Sequence, residues 1–198
     1  MAIARRHALL AGRAVTVTPP GIELARLAAM PARRPPATGR FDFALVLPGA
    51  DRKAVAEAAQ ATGQLVAQGL DVALHVAAPA LPDETVARLA ADRPWLHFAG
   101  QSSEAGAFLA GKHALLLPAS LAGRAMPLLA EAMARGLPAV VADSRPLRAT
   151  AGAAALFARA RDSRDLAWQM ARLALDELLW HRLARAGRAG AARHGIDA

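Results

Sequence analysis

Five short apolar runs restrict the folds that are open to this chain of 198 residues. Each run is continuous rather than alternating: "FALVL" (43–47), "VALHVA" (72–77), "WLHFA" (95–99), "ALLL" (114–117) and "AVVA" (139–142). Strands that are apolar on both faces are typical of a parallel sheet covered by helices on either side. The runs therefore predict five buried parallel strands.

Helical patterns lie between these runs. After the first run, Val55, Ala59, Thr62 and Val66 fall on one helix face, and Asp51 stands where an N-cap is expected. The next two gaps contain "DETVARLA" and "SSEAGAFLAG". Strand and helix alternating in this way, with right-handed crossovers, predict a doubly wound parallel α/β sheet.

The two ends of the chain have a different character. Residues 1–40 combine a helix-like start, "AVTVTPPG" and the Pro/Arg-rich "MPARRPPATGR", which together are interpreted as an interdomain segment and linker. Residues 41–198 are then the folded domain. In its last part, "DSRDLAWQMARLALDELLW" and "HRLARAGRAGAARHG" predict two helices; Asp162 or Ser163 caps the first, and Leu166, Met170 and Leu173 form its packed face.

Composition excludes several classes of function. The chain has no cysteine, so thiolate chemistry and disulfides are ruled out, and it has no tyrosine to serve as an acid or base. Its six histidines lack metal-ligand spacing, so no metal is expected. His75, His97 and His113 are interpreted as packing residues, and Trp95, Trp168 and Trp180 as core or domain-contact residues.

The net charge of +8 comes almost entirely from arginine. These arginines are spread along predicted helices without interleaved aromatic residues, so a nucleic-acid partner is not expected. No apolar run reaches the length of about 20 residues that spans a bilayer. The expected location is the cytoplasm, with at most peripheral contact at the inner face of a membrane.

The segment "PASLAGRAMPLLAEAMARGLPAVVAD" (118–143) predicts a helix with well-marked ends. Pro127 suits its first turn, Gly136 its C′ position, and Pro138 prevents continuation. Free N–H groups near residues 125–128 would favour a phosphate, helped by the helix dipole. Glu131, one turn further on, would either hold a pair of sugar hydroxyls or pair with Arg135 at i+4; the residues alone favour the ion pair.

The same segment also resembles the sequence of a known protein family. "PAS", "MPLLAEAMARGLPAVVAD" and "LRATAG" follow one another as in the C-terminal, nucleotide-sugar-binding domain of the family 4 (group 1) retaining glycosyltransferases. The likeness extends upstream through "WLHFAG" and the first strand–helix unit, and "VTVTPPGIELARL" is similar to the family's interdomain segment. It covers roughly residues 15–195 and is most specific over 118–143.

The resemblance implies a Rossmann-like domain, the second half of a two-domain fold, that binds a nucleotide-diphosphate-sugar donor. The family transfers the sugar to a glycan or lipid acceptor with retention, as a hexosyltransferase type of enzyme, without a cofactor or a metal. The implied partner is a separate acceptor-binding domain or subunit. Lys53 matches the phosphate-binding lysine and Glu131 the second glutamate of the paired motif, which holds the ribose; these are the expected catalytic residues. The implied substrate-binding residues are Ser120, Gly123, Arg124, Ala125, Met126, Pro127 and Leu128.

The chain also departs from the family pattern. The first glutamate of the pair is missing, since Ala122 and Gly123 stand there, and the family's Gly-Arg after the first strand is Leu47-Pro48. Arg124, beside the helix start, is one candidate to supply the lost charge; Arg52 is another, although its place favours an ordinary solvated residue at a helix start. A non-catalytic binding or scaffolding module therefore remains the alternative function. A basic adaptor that binds RNA or anionic lipid through its arginine-rich tail is a third.

Overall fold

The computed structural model of the protein describes residues 39–99, 105–122 and 124–192, and these form one parallel sheet of six strands in the order β3-β2-β1-β4-β5-β6. Five of the strands are the predicted apolar runs, and the doubly wound fold is confirmed. The sixth, "ALFA", was not predicted. The strands are β1 (Phe41–Val46), β2 (Val72–Ala77), β3 (Leu96–Ala99), β4 (Ala114–Leu117), β5 (Ala139–Ala142) and β6 (Ala155–Ala158).

Seven α-helices lie in the described part of the chain, and a single 3-10 turn, Ala119–Leu121, follows β4. The order of strand and helix is the predicted one as far as β5, after which a short helix precedes the sixth strand. The helices are α1 (Arg52–Ala67), α2 (Asp83–Ala90), α3 (Ala105–Ala110), α4 (Met126–Arg135), α5 (Arg145–Ala151), α6 (Ser163–Leu175) and α7 (Glu177–Ala191).

Local sequence accounts for the ends of these helices. Asp51 accepts a hydrogen bond from the N–H of Ala54 at 3.1 Å and caps α1, as predicted. Asp162 caps α6 by accepting from two N–H groups. Gly136 ends α4 in the left-handed region with φ 69°, where a Cβ would be strained. These three helix ends are therefore set by short-range chemistry.

The helices cover the sheet in two layers. α1 packs against α6, and α4 packs against α7 and α5. The approach of α4 to α7 is close, because a Cβ built on Gly187 would lie 3.2 Å from the carbonyl oxygen of Met133. The core between the layers is mostly aliphatic, with Leu115 and Leu129 fully buried beside the aromatic ring of Phe43. This packing fixes the position of α4, the helix predicted to carry the site.

One sequence prediction about the C-terminal part is wrong in detail. The break between its two helices falls at Asp176, whose side chain accepts from the N–H of Leu179 and caps α7, rather than between Trp180 and His181. Trp180 is a core residue, whereas Trp168 is 63% exposed, which leaves domain contact as the open prediction for it. Residues 1–38, which include all but the last two residues of the predicted interdomain segment and linker, lie outside the described residues.

A buried carboxylate joins two strands near the start of β1. Asp42 accepts from Arg40 Nε at 2.9 Å and from His75 Nε2 at 3.1 Å, and its own N–H donates to His113 Nδ1 at 2.8 Å. Burial opposes ionisation of Asp42, but His75 and Arg40 outweigh it and hold its pKa below the ordinary value. Burial, together with Lys112 and His97, also lowers the pKa of His75 against the effect of Asp42, so a neutral imidazole donates to a carboxylate.

This pair predicts a loss of stability in mild acid. Because the pKa of His75 is lower in the folded chain, the unfolded chain binds the proton first, and the free energy of unfolding falls as pH drops below about 6.5. Urea unfolding at about pH 7.5 and about pH 5.5 should show this fall, and His75→Gln should reduce it. His181→Gln, on an exposed helix face, is the matched control. An undiminished fall in His75→Gln would contradict the assignment.

Candidate functional site

The sheet has one point at which the direction of winding reverses. From β1 the chain winds outward through β2 to β3, whereas β4 returns to the other side of β1 and winds outward through β5 to β6. The loops that leave the carboxyl ends of β1 and β4 therefore diverge, and a crevice opens between them. In open α/β sheets, ligands bind in the crevice at such a reversal.

A groove of about 390 Å³ opens where these two loops meet, lined by Ala50, Asp51, Arg52, Lys53 and Arg124. Ala50 lies in the loop after β1, Asp51 is the N-cap of α1, and Arg52 and Lys53 begin that helix; Arg124 comes from the loop between β4 and α4. The structure thus brings together Lys53 and Arg124, two of the residues that the sequence predicts for the site. Arg52, interpreted from the sequence mainly as a solvated residue at a helix start, lines the same groove. The three cations give the groove a positive charge.

Arg124 is held in place by a carboxylate of the groove. Its Nη2 lies 3.5 Å from Oδ2 of Asp51, and its side chain is 57% exposed. Lys53 is also exposed. An anion entering from solvent can therefore reach both cationic groups without any change in the core.

The loop before α4 is shaped by the 3-10 turn after β4. Leu121 is fully buried and anchors the turn, and its carbonyl accepts from the N–H groups of Arg124 and Ala125 at 2.9 and 3.0 Å. Ser120, on the same turn, is exposed. Gly123, also predicted for the site, lies outside the described residues. The turn presents Arg124 to the groove.

The start of α4 offers fewer free N–H groups than the sequence suggested. Its N-cap, Ala125, makes no side-chain cap bond, and its own N–H is already used by Leu121. Pro127, which is exposed, has no N–H to offer. The first helical turn therefore keeps Met126 and Leu128 as its amide donors, both half-buried. The dipole of a ten-residue helix still favours an anion at this end.

Glu131 forms an ion pair with Arg135, which residue spacing favoured before the family resemblance was considered. Arg135 donates to Glu131 Oε1 from Nε at 3.3 Å and from Nη2 at 3.0 Å. The arginine side chain is only 3% exposed, and the glutamate side chain is 23% exposed. The burial of Arg135 was not expected, because the sequence places Arg135 and Glu131 on the face of the helix that points away from the core. The pair is therefore part of the packing of α4 and not a solvated surface contact.

Glu131 nevertheless keeps an oxygen available. Both bonds from Arg135 end on Oε1, and neither uses Oε2. The residue lies roughly 7.5 Å along the helix from Met126, since five residues each rise about 1.5 Å. It does not line the groove at Lys53 and Arg124. A ligand that reaches Glu131 must extend past the start of α4.

One carboxylate near the crevice was missed by sequence reasoning. Glu57 of α1 is half-buried and faces the backbone N–H groups of Ala119 and Arg161, so it links the 3-10 turn to the loop after β6. Burial raises its pKa against these hydrogen bonds. The signal in the sequence was that Glu57 is the one acidic residue of α1. Its contacts indicate a role in holding the crevice loops.

The described residues contain no cluster of His, Asp or Glu arranged to hold a metal ion. None of their helices has the length and apolar character needed to cross a membrane. The chemistry available in the groove is that of three cationic side chains and the carboxylate of Asp51, with amide donors and Glu131 Oε2 further along at α4. Such a set binds phosphate and hydroxyl groups.

Comparison with solved structures supports the architecture. A glycosyltransferase from Rickettsia africae ESF-5 has a TM-score of 0.71 and 12% identity, over 92% of this chain and 53% of that one. WaaG, a glycosyltransferase involved in lipopolysaccharide biosynthesis, has a TM-score of 0.67 and 18% identity, over 89% and 52%. A trehalose-6-phosphate protein from E. coli, bound with UDP-2-fluoro glucose, has a TM-score of 0.66 and 12% identity, over 89% and 48%. At these identities the similarity shows the fold.

The chain spans about half the length of the solved structures that it matches. No curated protein sequence is similar enough to count as a match. The sequence pattern of the family "Glycosyl transferases group 1" matches residues 38–176, well over half of the chain and all of the strands described above. The chain therefore belongs to the group 1 glycosyltransferase family.

Proposed function

We propose that the chain is the donor-binding half of a retaining glycosyltransferase of the hexosyltransferase type. It would bind a nucleotide-diphosphate-sugar and transfer the sugar to a glycan or lipid acceptor. The observation that carries this proposal is the cationic groove formed by Lys53, Arg52 and Arg124 at the reversal of the sheet. A groove of this charge, beside a helix start, suits a diphosphate.

In this proposal each group of the site has a separate task. Lys53 and Arg124 neutralise the diphosphate as its bond to the sugar breaks and negative charge develops on the leaving oxygen. The amides of Met126 and Leu128 add hydrogen bonds from the start of α4. Glu131 Oε2 accepts from the ribose hydroxyls, while Oε1 stays with Arg135. A separate acceptor-binding domain or subunit, working in the cytoplasm, would bring the second substrate.

The first test is calorimetric titration of the chain with UDP and GDP. The double variant Lys53→Ala/Arg124→Ala should weaken the binding of whichever nucleotide binds by at least about tenfold, because two charge-assisted contacts are lost. Arg172→Ala/Arg182→Ala is the matched control, since it removes the same charge from exposed positions on α6 and α7. Heat of equal size in both double variants would contradict the site, and no heat with the unmodified chain would contradict the function.

The second candidate function is a non-catalytic module that keeps the fold and binds without transferring sugar. One observation favours it: Ala122 and Gly123 stand where the family has its first glutamate, so the sequence lacks the carboxylate that contacts the donor sugar in that family. The two functions differ in turnover. Sugar transfer in the presence of an acceptor-binding half would support the enzyme, and nucleotide binding with no transfer would support the module.

A further inference from the structure

Asp51 is the one acidic side chain among the residues that line the cationic groove. It lies among Arg52, Lys53 and Arg124, where the donor diphosphate would bind under the function proposed above. A carboxylate at this point repels the same group that the three cations attract. Its presence therefore needs an explanation beyond helix capping, which an uncharged residue also performs.

The position of this carboxylate is fixed from two directions. Oδ1 accepts from the N–H of Ala54 at 3.1 Å, and Oδ2 lies 3.5 Å from Nη2 of Arg124. The side chain is only 12% exposed. Turning the carboxylate away from an incoming anion would break the cap of α1. A phosphate oxygen that binds Arg124 therefore meets a negative charge that stays in place.

Repulsion of this kind depends on the charge of the ligand. In a nucleotide-sugar the outer phosphate is esterified and carries one negative charge. After transfer, the same phosphate is a free monoester, with a second pKa near 6, and it carries about 1.5 to 2 charges at neutral pH. A fixed carboxylate beside it destabilises the bound product more than the bound donor.

We propose that Asp51 is a specificity-determining residue that favours the donor over the released nucleoside diphosphate. It competes with the free terminal phosphate for Arg124 and so promotes release of the product. The inference rests on the proposed function, because it assumes that the groove holds the diphosphate. It concerns the relative affinity of two ligands and needs no new contact to form.

The test compares the nucleoside diphosphate that binds, UDP or GDP, with its β-methyl ester, which has the charge of a donor and no sugar. Asp51→Asn removes the charge and keeps a good N-cap. It should tighten binding of the free diphosphate by about threefold to tenfold and that of the methyl ester by clearly less. The gain should shrink in high salt, because the groove is open to solvent.

The matched control is Asp176→Asn. Asp176 also caps a helix, accepting from the N–H of Leu179 at 2.8 Å. It caps α7, in which Trp180 donates a hydrogen bond to the carbonyl of His113. His113 lies at the amino end of β4, and the crevice lies at the opposite, carboxyl edge of the sheet. This variant should bind both ligands as the unmodified chain does. Urea midpoints of both variants show whether the caps are preserved.

The outcomes separate this inference from the proposed function. A larger gain for the free diphosphate than for its ester supports the role of Asp51. Equal gains for both ligands, or weaker binding by a folded Asp51→Asn chain, overturn that role and leave the donor site standing. No binding of UDP or GDP by either the unmodified chain or Asp51→Asn overturns both proposals.

Discussion

Replacing Glu131 with alanine should lower the free energy of unfolding by about 3 kcal/mol. The carboxylate accepts two hydrogen bonds from Arg135, whose side chain is 3% exposed, and removing one partner of a buried ion pair is costly. The expected loss lies at the lower end of the usual range, because Glu131 itself is 23% exposed. Urea unfolding followed by circular dichroism measures it directly.

The double variant Glu131→Ala/Arg135→Met distinguishes the structural role of Glu131 from the proposed role in binding. Methionine removes the buried charge and fills a similar volume, so most of the lost stability should return. If Glu131 also holds the donor ribose, the double variant should regain stability and still bind UDP or GDP about tenfold more weakly. Affinity that recovers together with stability would show that Glu131 acts only through Arg135.

Trp180→Ala should cost about 4 kcal/mol of unfolding free energy, the largest loss that we expect from a single substitution. The indole is buried between α7 and the sheet, and its Nε1 donates to the carbonyl oxygen of His113 at 2.7 Å. Truncation leaves a large cavity and a buried carbonyl without this donor. Trp180→Phe keeps much of the volume, so it should cost only about 1–2 kcal/mol. Thermal and urea unfolding of the two variants separate the two contributions.

Trp168→Ala is the matched control for that series. Trp168 lies on α6 and is 63% exposed, so its removal should change stability by less than about 0.5 kcal/mol. Equal losses for Trp168→Ala and Trp180→Ala would contradict the burial described here. A loss in Trp180→Phe as large as in Trp180→Ala would assign the whole effect to the hydrogen bond with His113.

The sequence predicted the elements with a strong local pattern. Runs such as "ALLL" and "AVVA" are strands because a sheet covered on both faces needs continuous apolar residues. Gly136 and Pro138 end α4 because glycine adopts the left-handed conformation and proline cannot continue a helix, and both effects are local. β6 was missed because "ALFA" is only four residues long, and such a run does not distinguish a strand from a buried helix turn. Asp176 was not recognised as a cap, so the boundary of α7 was placed too late.

The candidate site also contains residues that the sequence identified and contacts that only the structure revealed. The sequence identified Lys53 and Glu131 through their place in a family-like pattern, and Arg124 through its place beside a helix start. It also offered the pairing of Glu131 with Arg135. It did not show that Arg135 is buried, that Glu57 faces the turn after β4, or that Asp51 contacts Arg124. Each of these facts depends on a neighbour brought close by packing, and residue spacing along one chain does not report it.

Short-range chemistry in the sequence alone determined five of the six described strands, the start of α1, the end of α4, and that the sheet is parallel. Tertiary structure decided which loops are neighbours. β4 returns to the side of β1, and only this order of strands places Arg124 beside Asp51 and Lys53 in one groove. The physical reason is that strand order is set by the packing of whole layers, whereas caps and apolar periods are set by residues within a few positions of one another.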